Sequence, residues 1–155
     1  MSYIQFLRQH IGHQTIIMPC ACALIVNEKK ELLLQKRVDD GCWSYHGGSI
    51  EVDESVEQAL KREVKEELNI DIEQYQLFNI YSGQQFHHIY PNGDNVSPID
   101  IVYLCTKYNG DIKLQVEEVS EIGWFNENNL PQNISKGVVP VINDYFRWVK
   151  NGNNK

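Results

Sequence analysis

The stretch SVEQALKREVKEELN, residues 55–69, limits the folds open to this chain more than any other segment. On a helix, each residue turns the side-chain direction by about 100°. Val56, Ala59, Leu60 and Val64 then form one apolar stripe at the spacing of a core-facing helix. Glu63 and Glu67 fall inside that stripe and Glu66 at its edge, whereas Gln58, Lys61, Arg62 and Lys65 point away. Ser55, with Gln58 three residues on, predicts a capping box, and Asn69 suits the left-handed conformation that closes a helix. The fold must therefore seat this helix against a core and find a use for the carboxylates on its inner side.

Crowding narrows what that use is. Two carboxylates about 5 Å apart repel by about 3 kcal/mol at an effective dielectric near 20. A small domain has only about 5–15 kcal/mol of stability to set against such terms. Either the acids are solvated beside Lys61 and Lys65, as on many exposed helices, or some hold protons, or cations sit among them. Hard oxygen ligands favour Mg²⁺, Mn²⁺ or Ca²⁺ over zinc. Just upstream, Gly47-Gly48 supplies a backbone that can approach a ligand closely and offer it a carbonyl. Glu51, expected in a strand after the glycines, and Glu54 beside the helix start add acids. Arg62 can reach back about two turns to pair with Glu54.

Around this helix the chain alternates strand and turn signals. A short helix is expected from Tyr3, Phe6, Leu7, His10 and Ile11, closed by Gly12. Strands are expected over 15–26, 32–37, 75–86 and 99–108, with the turn-rich YPNGDNVSP at 90–98. Asn109-Gly110 is a strong hairpin signal, which predicts DIKLQV (111–116) as the partner of the preceding strand. IGWFN (122–126) reads as a further strand, and 137–149 as a final helix with Pro140 in its first turn. The tail NGNNK (151–155) is expected to fray. The expected fold class is α+β, a mixed β-sheet flanked by helices, in one domain over 1–150.

Charge and cysteine usage restrict the partners. The net charge is −7, which argues against broad binding to nucleic-acid backbone. It leaves open a phosphorylated small molecule, because a bound divalent cation can supply the missing positive charge. No apolar run approaches the ~18 residues of a membrane span, and "MSYIQFLRQHIGHQ" has no secretory h-region, so no membrane partner and a cytoplasmic setting are expected. The four cysteines, Cys20, Cys22, Cys42 and Cys105, form no C-x-x-C pair and, with the histidines, no zinc-ligand spacing. Cys20 and Cys22 alternate with Ala21 and Ala23 and should share one strand face. By the same alternation His87 and His88 should point apart, which sets them aside as a metal pair.

Gly48, five residues, Glu54, seven residues, and then Arg62-Glu63-Val64-Lys65-Glu66-Glu67-Leu68-Asn69-Ile70 resembles the Nudix box, G-x5-E-x7-R-E-U-x-E-E-x-G-U with U aliphatic. Eight of the nine specified positions match; Asn69 replaces the last glycine, and Asn is the next best residue for a helix-closing turn. Before the box, Tyr45-His46-Gly47-Gly48 stands where relatives often read Leu-Pro-Gly-Gly. The flanks LLLQKR, YPNGD and EVSEIGWFNENNLP are also similar to the family, so the resemblance spans nearly the whole chain. It implies a Nudix-type α/β/α sandwich, with the box at 48–70, in a MutT-like hydrolase of the superfamily.

The resemblance further implies Mg²⁺-dependent hydrolysis of a nucleoside diphosphate linked to another moiety, with Mn²⁺ as a substitute metal. The products would be a nucleoside monophosphate and a phosphorylated fragment. Carried over by position, Glu63 and Glu67, joined by Glu66 and the Gly48 carbonyl, would hold one to three ions. Gly47, Glu54 and Arg62 would support them. The general base is Glu63 or Glu66 from the box, or an acid among Glu117, Glu118 and Glu121, of which Glu118 is favoured. Arg37 sits where relatives reach a phosphate, although a surface ion pair would explain it equally. Trp43, Tyr81, Phe86 and Tyr90 could stack on a base or simply pack in the interior. Expected partners are a nucleotide or nucleotide-sugar, with room for a homodimer. Two rivals stand beside this reading: a nucleotide-binding sensor without turnover, disfavoured by the intact acids, and an isoprenoid diphosphate isomerase, for which Cys42 and Cys105 lack context.

Overall fold

The computed structural model describes residues 1–152. Helix α1 (Tyr3–Ile11) opens the chain, capped by Ser2 and closed at Gly12. Strands β1 (Ile16–Ile25), β2 (Leu32–Arg37), β3 (Trp43–Ser44) and β4 (His46–Ser49) follow. Helix α2 (Val56–Leu68) comes next, then β5 (Asp71–Tyr81), a 3₁₀ turn at Gln84–Phe86, β6 (His88–Ile89), β7 (Asn95–Asn109), β8 (Val119–Phe125) and α3 (Val139–Lys150). The tail expected to fray lies beyond α3: 151–152 form a turn, and 153–155 fall outside the described residues.

A five-stranded mixed sheet runs β4-β1-β7-β5, with β6 added to β7; β1 and β7 are parallel and the other pairs antiparallel. A smaller antiparallel sheet runs β3-β2-β8. Alternation along β1 divides the interior in two. Ala21, Ala23 and Ile25 face Ala59, Leu60, Val64 and Leu68 of α2. Met18, Cys20, Cys22 and Leu24 face Val141, Ile142, Tyr145 and Phe146 of α3. The two small alanines let α2 lie close to the sheet, and helices cover both faces, which makes an α+β sandwich. Among the described residues no helix is long and apolar enough to cross a membrane.

Four expectations need correction. The strand expected over 75–86 begins at Asp71, directly after α2, and ends at Tyr81. The strand expected from 99 begins at Asn95 and carries Pro98. That proline falls between the Tyr81↔Asp100 and His88↔Val96 pairs, where one side of β7 has no ladder partner and a missing N–H is tolerated. Residues 111–115 form no strand: β7 is flanked by β1 and β5, and the Lys113 and Gln115 N–H groups donate instead to the Leu68 and Glu67 carbonyls at the end of α2. Glu51 is in a loop rather than a strand, and its carboxylate accepts from the Tyr3 N–H at 2.9 Å.

Candidate active site

Both caps of α2 are made as its sequence suggests. Ser55 and Gln58 form a reciprocal capping box, and Asn69 closes the helix at φ 61°, ψ 26°. The helix therefore sits in a fixed register against β4 and β1. β4 is the edge strand that presents the glycine pair, with Ala21↔Gly48 and Cys22↔Gly47 opposite one another.

The two glycines are required by space. A side chain at Gly47, whose φ is +140°, would run into the Ala21 carbonyl, and a Cβ on Gly48 would lie 2.6 Å from the Glu63 carboxylate. The Glu63 carboxylate thus rests directly against the Gly48 backbone. Arg62 ties the neighbourhood together. Its Nε and Nη2 donate to the two Glu54 oxygens at 2.7 and 2.9 Å, Nη1 donates to Glu63 at 2.7 Å, and Nη2 also donates to the Ser49 carbonyl at 3.0 Å. Its contact with the more exposed Glu66 is longer, 3.4 Å. Glu67 is buried, accepting from the Gly47 N–H at 3.4 Å and lying 3.2 Å from Nδ1 of His46, which is fully buried. A carboxylate requires Nδ1 to carry the hydrogen; Nε2 of that ring then has no hydrogen-bond partner.

The three carboxylates are therefore neither bare nor paired with Lys61 and Lys65. Arg62 serves Glu63 and Glu66, and His46 and a backbone N–H serve Glu67. The electrostatics record the strain that remains. Burial pushes the Glu63 carboxyl up to about 7, against the pull of Arg62 and with added push from Glu67 and Glu66. Exposed Glu118 is also raised, first by desolvation and then by the Glu67 and Glu66 charges. Glu54 is lowered by its hydrogen bonds from Arg62.

Among the described residues no three His, Cys, Asp or Glu side chains are arranged to hold a metal ion as they stand. The chemistry of the donors nonetheless fits a hard divalent cation: Glu63, Glu66, Glu67 and the Gly48 carbonyl offer only oxygen, and a cation beside Glu63 would offset the burial and the neighbouring acid charges that raise its carboxyl.

A cavity of about 600 Å³ opens from Gly47 and Gly48 across the α3 face of the sheet. Arg37, Phe86 and Tyr90 line it. Arg37 is held by Asp39, with Nε donating at 2.9 Å, and its guanidinium lies 5.5 Å from the centre of the Tyr90 ring. Tyr81 does not line the cavity: it is buried, stacks edge-on against Phe86 and donates to Asp144 at 2.9 Å. His87 and His88 do line it, because His87 ends the 3₁₀ turn ahead of β6 and strand alternation does not govern it. The sequence reading passed over Asp100, although the alternation of IDIVYLC already places it with Val102 and Leu104 on one face. It lines the cavity, and its Oδ2 accepts from the Tyr45 hydroxyl at 2.5 Å.

Comparison with known proteins agrees with this arrangement. Residues 17–146 match the family model for the NUDIX domain. The chain is 33% identical over 131 residues to an ADP-ribose pyrophosphatase from Methanocaldococcus jannaschii, covering 83% of this chain and 72% of that protein. It is 31% identical over 128 residues to the NAD-capped RNA hydrolase NudC of Vibrio atlanticus, covering 82% of this chain but only 44% of that protein. Among solved structures, a MutT NUDIX hydrolase from Burkholderia pseudomallei superposes with a TM-score of 0.70 at 27% identity, over 83% of this chain and 97% of that one.

Proposed function

The chain belongs to the Nudix family and is a hydrolase of phosphoanhydride bonds, and from that premise we propose that it cleaves a nucleoside diphosphate linked to another moiety, using Mg²⁺. The products are a nucleoside monophosphate and a phosphorylated fragment. The observation that carries this reading is the Glu63 carboxylate against the Gly48 backbone, raised to about 7 with Glu66 and Glu67 nearby, on the strand from which the cavity opens.

Glu63, Glu66, Glu67 and the Gly48 carbonyl would hold Mg²⁺, with Mn²⁺ as a substitute. When bound, the ion neutralises the diphosphate and acidifies a coordinated water. The chain's own groups do the rest. Arg62, anchored on Glu54 and the Ser49 carbonyl, fixes the helix acids relative to the glycine strand. His46 and the Gly47 N–H hold Glu67 in one orientation. Glu118 takes the proton of the attacking water, and desolvation together with the Glu67 and Glu66 charges raises its carboxyl, the direction that suits a general base. Arg37 and Tyr90, stacked on each other at the cavity wall, bind the nucleotide beyond the diphosphate, with Phe86 beside them.

ADP-ribose heads the substrate panel because of the relative named for it, followed by nucleotide sugars, dinucleoside polyphosphates, nucleoside triphosphates and NAD. The test incubates the protein with each compound and Mg²⁺, identifies products by mass spectrometry, and repeats the assay in EDTA. Metal-dependent release of a nucleoside monophosphate is expected from at least one compound. Binding without turnover across the panel, in both Mg²⁺ and Mn²⁺, would sink the proposal.

A further inference from the structure

Asp100 is out of keeping with its surroundings. On the sheet face where it lies, β7 presents Val96, Val102 and Leu104, and β1 presents Met18, Cys20 and Cys22. Its register neighbours are Cys20 on β1 and Tyr81 on β5. No Lys or Arg forms an ion pair with it among the described residues; its donors are the Tyr45 hydroxyl and, weakly, the Cys22 thiol. Removing a carboxylate from water without a cation is unfavourable, and an apolar side chain here would simply extend the core. A carboxylate also accepts on two oxygens, and Tyr45 occupies only Oδ2. The acid is thus oriented by Tyr45, without a cation beside it, and placed in the wall of the cavity that starts at the Gly48 strand.

We propose that Asp100, oriented by Tyr45, is the specificity-determining acceptor of this cavity, binding a neutral hydrogen-bond donor on the nucleoside part of the ligand. This rests on the nucleotide reading above and adds the direction in which the ligand lies. A phosphate beside Asp100 would meet a like charge, so the diphosphate lies toward Gly48 and the donor edge toward β7. The donor is an exocyclic amino group of the base or a ribose hydroxyl. In either case the site discriminates by what it would leave unpaired: an analogue without the donor covers this half-buried acceptor and gives it no partner.

The test uses equilibrium binding in EDTA, so that it does not depend on turnover. Dissociation constants are measured by calorimetry for AMP and GMP against IMP, for CMP against UMP, and for each ribonucleotide against its 2′-deoxy form. The parent should prefer at least one donor-bearing member by about tenfold, with base pairs and sugar pairs reporting which donor is read. In Asp100→Leu the preference should collapse toward unity, and Tyr45→Phe, which frees the carboxylate without removing it, should reduce it in part. If Asp100→Leu fails to fold, Tyr45→Phe alone decides. No binding by the parent, no preference in the parent, or a preference that survives these substitutions overturns the proposal. Failure of hydrolysis with the preference intact would instead overturn only the catalytic reading.

Discussion

Glu67, one of the proposed metal ligands, also bears on the fold. It is buried, yet its carboxylate is held by the Gly47 N–H and His46 rather than by a cation. An amide of the same shape can still accept from Gly47 and places no charge beside Glu63. Glu67→Gln is therefore expected to lower hydrolysis by at least about 100-fold, while the melting temperature in EDTA stays at or above that of the parent. A markedly lower melting temperature would show that the charge itself supports the fold. Asp100 gives a pH signature of its own. Burial raises its carboxyl above the ordinary value of 3.8, so just above that pH the native state binds more protons than the unfolded chain. On its account, stability falls as pH rises through that window and then levels off. In urea titrations from about pH 4 to about pH 7, the parent should lose stability relative to Asp100→Asn; a relative gain would contradict the assignment.

At the scale of elements, α2 depends on its ends. Asn69 sits at φ 61°, a conformation that costs a residue with a Cβ about 1–2 kcal/mol unless its side chain compensates. Asn69→Ala is expected to destabilise by about 1 kcal/mol and Asn69→Gly by no more than about 0.5 kcal/mol, read by chemical denaturation. This helix was legible in the sequence from cap to cap, because its signals are local: Ser55, Gln58, the apolar stripe and Asn69 lie within one segment. The expected hairpin after Asn109-Gly110 failed for the opposite reason. A turn signal says nothing about whether the flanking strand has an edge to offer, and β7 is flanked by β1 and β5. The candidate site divides in the same way. The acids and glycines follow from spacing along the chain, whereas the Tyr45–Asp100 bond joins residues 55 apart in sequence, and no periodicity reports it.

For the whole molecule, a ligand that binds only the folded state stabilises it by mass action. Mg²⁺ at about one hundred times its dissociation constant should add about 2.7 kcal/mol, which for a chain of this size raises the melting temperature by roughly 5–10 °C. Glu63→Gln should remove most of that increment, and an unchanged increment would place the ion elsewhere. The 111–118 segment has a mechanical consequence. Its N–H groups at Lys113 and Gln115 are bonded to the last carbonyls of α2, and the Gln115 carbonyl in turn accepts from Glu118 and Val119. A loop acid is ordinarily free to wander, but the backbone of this one, Glu118, is lashed through Gln115 to the same helix that carries Glu63, Glu66 and Glu67. Four backbone bonds thus join this loop to itself and to the end of α2, so whatever displaces the helix terminus drags the loop along with it.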